Sequence, residues 1–164
     1  MQQKSKNMEE LVLKSTVKVA QMDELTEEER KLVEQAIEAT NRSYVPHSHF
    51  HVGAAVQLKN GVTLMGCNQE NAAFPAGICA ERSALFAAGA QYPDQPVTML
   101  AIAARNDEGE FLEEPVTPCG TCRQVIIETE TRFKHPVRIL LYGTKHVYVI
   151  AGIRELMPLS FTEF

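Results

Sequence analysis

The sequence lacks any apolar run near the roughly 20 residues that cross a bilayer, and its polar start, Met1-Gln2-Gln3-Lys4, lacks the apolar stretch of a secretory leader. It has no surplus of positive charge. Lys and Arg number 16 against 21 Asp and Glu, a net charge of -5, and the basic residues are scattered rather than gathered into a stripe. Neither a membrane nor a nucleic acid is therefore expected as a partner, and a small soluble substrate in a cytoplasmic setting is. Cysteine is scarce as well: 4 in 164 residues, with no leader, suit a reducing compartment better than a disulfide framework. No internal repeat, low-complexity segment or glycine-rich phosphate cradle is visible. What remains, with 45% apolar residues, is expected to be one domain over residues 1–164 with enough apolar material for its own core.

Three of the cysteines are spaced as metal ligands. Cys79-Ala80-Glu81 is followed well downstream by Pro118-Cys119-Gly120-Thr121-Cys122. Three thiolates can fill three of the four tetrahedral positions of one zinc, and Glu81 would stand beside the vacant fourth, the layout of a hydrolytic site. The combination also resembles the signature of zinc deaminases. A C-x-x-C at the first turn of a helix aims two sulfurs at one point, and the exposed amides and positive dipole end there favour thiolate over thiol. Pro118 suits the start of that helix, and Val125 and Ile126 continue its apolar face, so the pattern predicts a helix from Cys119 to about Thr129. Ala80, Ala84, Leu85 and Ala88 have helical spacing from Cys79 onward, so two helix N-termini would converge on one ion. The competing reading is a closed cage with Cys67 as fourth ligand, in a non-catalytic zinc-stabilised interaction domain. Against it, Gly66-Cys67-Asn68 follows Val62-Thr63-Leu64-Met65, which reads as a strand end and suits a buried strand thiol.

Elsewhere, Leu11, Leu13, Val17 and Val19 alternate at period two and predict an N-terminal strand. Thr26 with Glu29 forms a capping box, and Leu32, Val33, Ala36 and Ile37 give the apolar stripe of a helix running to about Arg42. Val52–Leu58 and Val62–Cys67 flank Asn60-Gly61, the strongest hairpin signal in the chain. Val97–Ala104 is an almost unbroken apolar run, expected to be a strand covered on both faces. Strands at Val137–Tyr142 and Tyr148–Ile150 and a short helix at Ile153–Met157 come next. His47, His49 and His51 alternate and could mimic a metal site on one face, although a surface or interface row is the expectation. Hairpin first, then alternating helix and strand, implies an α/β fold with a mixed sheet between helical layers.

Five segments, in order, resemble the small homotetrameric type of zinc-dependent cytidine deaminase, over about Leu25 to Phe161. They are Ser43-Tyr44-Val45-Pro46-His47-Ser48-His49-Phe50-His51-Val52-Gly53-Ala54-Ala55, Gly66-Cys67-Asn68-Gln69-Glu70-Asn71-Ala72, Ile78-Cys79-Ala80-Glu81-Arg82-Ser83-Ala84, Pro118-Cys119-Gly120-Thr121-Cys122-Arg123-Gln124-Val125 and Glu155-Leu156-Met157-Pro158-Leu159-Ser160-Phe161. The resemblance implies the α/β/α deaminase fold around a mixed five-stranded sheet, here with the extra N-terminal strand. Residues 1–22 lie outside it, an extension of unassigned role.

What the resemblance implies for the site is specific. One zinc per subunit, on Cys79, Cys119 and Cys122, would activate water for attack on C4 of the cytosine ring. Glu81 would carry the proton to N3 and then to the leaving amine, giving uridine or 2'-deoxyuridine and ammonia in pyrimidine salvage. Substrate contacts fall to the backbone N–H of Ala80, the backbone carbonyl of Thr117, the side chains of Asn68 and Glu70 at the ribose 3'-hydroxyl, and Phe50 and Phe161 beside the nucleoside. Three thiolates on a dication leave about one negative charge, and Arg82 resembles the arginine that offsets it by donating to ligand sulfurs; Gln124 and Arg123 are further candidates around the ligands. Phe74 stands where the family more often has a tyrosine reaching toward the sugar 5'-hydroxyl from a neighbouring subunit, which puts selectivity at that position in question. A related aminohydrolase of blasticidin S shares C-A-E, P-C-G-x-C-R-Q-V and the Arg-Glu-Leu tail; Asn68-x-Glu70-Asn71 and Phe50-x-Val52-Gly53-Ala54-Ala55 favour the cytidine enzyme.

Overall fold

The protein was analysed as a computed structural model, which describes residues 8–162. Its elements run in the order β1 (Lys18–Ala20), α1 (Glu27–Ala39), β2 (His51–Leu58), β3 (Thr63–Cys67), α2 (Ala80–Gln91), β4 (Val97–Arg105), α3 (Gly120–Phe133), β5 (Arg138–Tyr142) and β6 (Val147–Ile150), with short 3-10 turns between several of them. The strands form one sheet in the order β1-β6-β5-β4-β2-β3. Only β4 and β5 run parallel, and α3 is the crossover between them, as a parallel connection requires. Alternation along β4 divides the core. Leu100 and Ile102 pack with Ala84, Leu85 and Ile126 from α2 and α3, while Met99, Ala101 and Ala103 pack with Leu32, Val33 and Ala36 of α1. The sheet is therefore sandwiched between α1 and the α2/α3 layer, the expected α/β/α arrangement.

Local chemistry accounts for the boundaries. Thr26 Oγ1 accepts from Glu29 N at 3.3 Å and Glu29 returns a carboxylate oxygen to Thr26 N at 2.9 Å, a complete capping box that starts α1. The predicted continuation to Arg42 is a 3-10 turn, Thr40–Arg42, rather than α-helix. The β2/β3 hairpin turns at Gly61, whose φ of +85° is the left-handed conformation that Asn60-Gly61 foretold. Helix α3 outruns its expected end at Thr129 and stops at Phe133, where Lys134 adopts φ 51° and its N–H meets the last-turn carbonyls. No glycine marks that stop; Arg132 in the last turn and Pro136 two residues past the cap are its marks in the sequence.

Two expectations need correction. The six strands are the expected five plus the anticipated N-terminal strand, but that strand covers only Lys18–Ala20, not the whole pattern from Leu11. Its pairs with β6, Lys18↔Val149, Val19↔Tyr148 and Ala20↔Val147, take three of that strand's four residues, and Leu11, Val12, Leu13 and Val17 are exposed. The three alternating histidines do not share a face either. Only His51 lies in a strand, and His49 takes a φ of 57°, which breaks the period-two geometry before β2 begins.

Gly66 sets how near α2 can come to the sheet. A Cβ there would lie 2.4 Å from Ala84 N and 2.6 Å from Ala80 O, so only glycine lets β3 approach the first turn of α2 so closely. That contact seats Cys79 and its neighbours against the sheet.

Candidate active site

Cys79 and Cys119 are the N-caps of α2 and α3, and Cys122 lies in the first turn of α3. The three sulfurs lie within 4.8 Å of one another, and among the described residues they form the group of this kind that could hold a metal. Cys79 Sγ and Cys119 Sγ are 3.9 Å apart, close to the roughly 3.8 Å that two Zn–S bonds of about 2.3 Å at a tetrahedral angle subtend. The donor set thus fits a thiolate-bound zinc. Cys67 takes no part in the cluster: half-buried at the end of β3, its Sγ donates to Arg42 O at 3.2 Å, which removes the fourth ligand of a closed cage.

The electrostatics are those of a shared thiolate. Cys79 is pulled down to about 5, first by its hydrogen bond from Cys122 and then, against the burial that opposes ionisation, by Arg82 and Cys119. Arg82 Nη2 donates to Cys79 Sγ at 3.5 Å. Cys122, fully buried, is pushed the other way by its bond to Cys79, by burial and by the charge of Glu81. Glu81, 5% exposed on α2, has its carboxyl raised by burial first, with the Cys79 thiolate adding to the effect.

A cavity of about 810 Å³ opens from this cluster. Cys79, Ala80, Glu81 and Arg82 line its inner end with Thr117 and Cys119, and Phe50, Asn68, Glu70 and Phe74 line its outer end. All of the sequence-expected site residues except Cys122, Arg123, Gln124 and Phe161 are therefore brought to one space, and Cys122 joins through the sulfur cluster. Gln124 turns away from the sulfurs: its Nε2 donates to Phe161 O at 2.9 Å and ties α3 to the C-terminal tail. Phe161, 62% exposed, does not line the cavity of its own chain. Arg123, the other candidate near the ligands, also bonds no sulfur. It donates to Pro118 O at 2.9 Å, Leu156 O at 2.6 Å and Thr117 Oγ1 at 3.3 Å, and so holds the segment that precedes Cys119.

The outer side chains have partners of their own. Asn68 Oδ1 accepts from Val52 N and its Nδ2 donates to Phe50 O, both at 2.9 Å, leaving one amide hydrogen and one lone pair for a ligand. Glu70 accepts from His47 N at 2.9 Å and Ser48 N at 3.2 Å. Sequence reasoning missed the apolar wall formed by Val52, Ile78, Ile102 and Val116, because a cavity-lining aliphatic has the same pattern as a core one.

Comparison with known proteins agrees in several ways. The family model described as the cytidine and deoxycytidylate deaminase zinc-binding region matches residues 26–135. The chain is 43% identical over 131 residues to the cytidine deaminase of Halalkalibacterium halodurans, a match covering 80% of this chain and 92% of that protein. It superposes on the crystal structure of cytidine deaminase from Burkholderia pseudomallei with a TM-score of 0.69 at 35% identity, covering 84% of this chain and all of the other. A blasticidin-S deaminase from Bacillus cereus is more distant, 29% identical over 139 residues, 84% of this chain and 95% of that protein.

Proposed function

The chain belongs to the cytidine deaminase family, and from that premise we propose that it hydrolyses the exocyclic amino group of cytidine and 2'-deoxycytidine, releasing ammonia and the uracil nucleoside. The observation that carries the reading is the buried Glu81 beside three sulfurs at zinc-binding separation, lining a cavity large enough to admit a nucleoside. Cys79, Cys119 and Cys122 would hold one zinc, which when bound supplies Lewis acidity that makes water nucleophilic near neutral pH.

The protein's own groups do the rest. Burial raises Glu81 toward the pH range in which a carboxyl can both take up and release a proton, the property of a shuttle between water, ring N3 and the departing amine. Ala80 begins α2, so its N–H has no partner within the helix and is available to the pyrimidine carbonyl. The Thr117 carbonyl would accept from the exocyclic nitrogen, with Arg123 holding its segment. Arg82 offsets the excess negative charge of three thiolates. Asn68 and Glu70 would meet the ribose hydroxyl, and Phe50 would flank the ring. Ile78, Val52 and Ile102 exclude water from the reacting end.

We extend the proposal to a homotetramer in the cytoplasm serving pyrimidine salvage. Exposed Phe74, Phe86 and Phe161 are apolar surface that a neighbouring copy would cover, with Phe161 reaching the neighbour's cavity rather than its own. No helix among the described residues is long and apolar enough to cross a membrane.

The test is a substrate panel on purified protein with metal analysis and sedimentation. Cytidine and 2'-deoxycytidine should be turned over, with one zinc per chain and four chains per particle. Blasticidin S, cytosine and CMP should be poor substrates, the last because no basic or glycine-rich phosphate site lies by the sugar end. CMP turned over as fast as cytidine, or blasticidin S preferred to both nucleosides, would refute the assignment.

A further inference from the structure

The outer wall of the cavity is held by a network that the reaction does not use. His51, at the start of β2, has Nδ1 2.6 Å from Ser43 Oγ and Nε2 2.7 Å from Asp107 Oδ1. The other carboxylate oxygen of Asp107 lies 2.7 Å from His49 Nδ1. One carboxylate, 56 residues from His51 in the chain, thus bridges two imidazoles that flank Phe50. Each ring nitrogen that faces the carboxylate is the one that carries hydrogen.

The turn that this bridge fixes is not one the backbone adopts unaided. His49 has φ 57°, a conformation that a residue with a Cβ keeps only when its surroundings hold it there. His49 N donates to Val45 O at 3.1 Å within the turn, and Phe50 N donates to Ser48 Oγ at 3.1 Å. Glu70 caps one side of the turn through His47 N and Ser48 N, and Asp107 holds the other. Arg105, opposite His51 in the β2/β4 ladder, does not compete for the carboxylate, because its guanidinium is committed to Thr40 Oγ1, Asn41 Oδ1 and Asn106 O. Ser43, His51 and Asp107 have the order of a nucleophile relay, but Ser43 Oγ also bonds Thr40 O at 2.7 Å and Ser43 does not line the cavity, so the network is a brace and not a second reaction centre.

We propose that Asp107 is a positioning residue for nucleoside binding: by bridging His49 and His51 it fixes the turn over residues 45–50 and so sets Phe50 and Ser48 against the sugar end of the cavity. This role rests on the nucleoside reading of the site. Asp107 touches neither substrate nor metal in it, so its loss acts on binding rather than on chemistry. Asp107 is also half-exposed and screened by water, which limits the effect to about threefold to tenfold in KM, with kcat held within about twofold.

The experiment compares wild type with Asp107→Asn, Asp107→Ala and Asp107→Glu, and with His49→Ala alone and combined with Asp107→Ala. KM and kcat for cytidine are measured beside hydrogen exchange of the amides at 47–50. The expected result is KM rising from wild type through Asp107→Asn to Asp107→Ala, partial recovery in Asp107→Glu, and faster exchange confined to the turn. The double variant should be no worse than about the poorer single one, as two ends of one contact require. Unchanged KM and unchanged exchange in Asp107→Ala would overturn the proposal, and so would a fall in kcat with exchange accelerated throughout the sheet. A wild-type protein that turned over no nucleoside would overturn the parent reading, while the exchange comparison would still decide the brace.

Discussion

Glu81 and Glu70 line the same cavity, yet their surroundings move their carboxyls in opposite directions. Glu81 sits inside the first turn of α2, buried, and is raised by the loss of water around it. Glu70 lies on the loop after β3 and is lowered, first by its bond with Ser48 and then by the amides of His47 and Ser48, which outweigh a small desolvation. The same contrast runs through the neighbours. Cys122 is fully buried at the inner end, and Phe74 is 91% exposed at the outer end. Groups that would hold an ion and move a proton stand on the rigid starts of two helices, whereas groups that would recognise the sugar stand on loops held by side-chain bonds. Disruption at the inner end should therefore abolish the reaction, and disruption at the outer end should only loosen binding.

The sharpest break in that comparison is a ligand cysteine. Cys119→Ala or Cys122→Ala should lose the metal and all measurable turnover, and lower Tm by roughly 10 °C, because metal binding contributes to folding. Cys67→Ala should keep about one zinc per chain. Metal analysis with thermal unfolding checks this, and a Cys67→Ala protein stripped of zinc would restore the four-cysteine cage.

Next in size is Glu81→Gln, which preserves shape and removes the proton carrier. Zinc content and Tm should stay close to wild type while kcat falls about 100- to 10,000-fold. Near-normal turnover in a fully loaded variant would remove Glu81 from the chemistry and erase the contrast between the two glutamates.

Asn68→Ala tests the outer end. It deletes the bonds to Val52 N and Phe50 O as well as any to ribose, so KM should rise by roughly tenfold, with a loss of stability of about 1–3 kcal/mol and a smaller change in kcat. A kcat loss as large as that of Glu81→Gln would show that the two ends are not separable.

The smallest effect belongs to Glu70 and its pH dependence. A carboxyl lowered in the folded state contributes stability that is complete above its unfolded value, near 4.5, and is lost as pH falls through the lower folded value. Glu70→Gln should therefore unfold slightly below wild type at pH 7, and the two melting curves should converge as pH falls below the lowered folded value. A gap that persisted there would mean that the caps at His47 and Ser48 do not depend on the charge.

Much of the fold could be read from the chain because its signals are local. The capping box at Thr26, the Asn60-Gly61 hairpin and the two helices beginning at Cys79 and Cys119 depend on residues within a turn of one another, and all four stand where expected. The less accurate expectations concern how far an element runs and what distant residues engage its ends. The N-terminal strand is only three residues long, its pairing with β6 ending at Lys18, and α3 runs past Thr129 until Lys134 takes the left-handed conformation that closes it. The histidines do not form a regular strand row because His49 is itself left-handed and Asp107, far along the chain, engages the rings of His49 and His51.

By itself the sequence determined the metal-binding group, three cysteines at fixed spacing on helix starts with a glutamate beside one of them, since ligand geometry follows from short-range backbone geometry and the identity of the donor atoms. The tertiary structure alone decided which of those groups would be buried and what would surround the substrate. Burial of Glu81, the exclusion of Cys67, the turning of Gln124 toward the tail and the bridge from Asp107 to two histidines all arise from contacts between elements far apart in sequence. Such contacts follow from how the sheet and its two helical layers pack, and no local pattern encodes them.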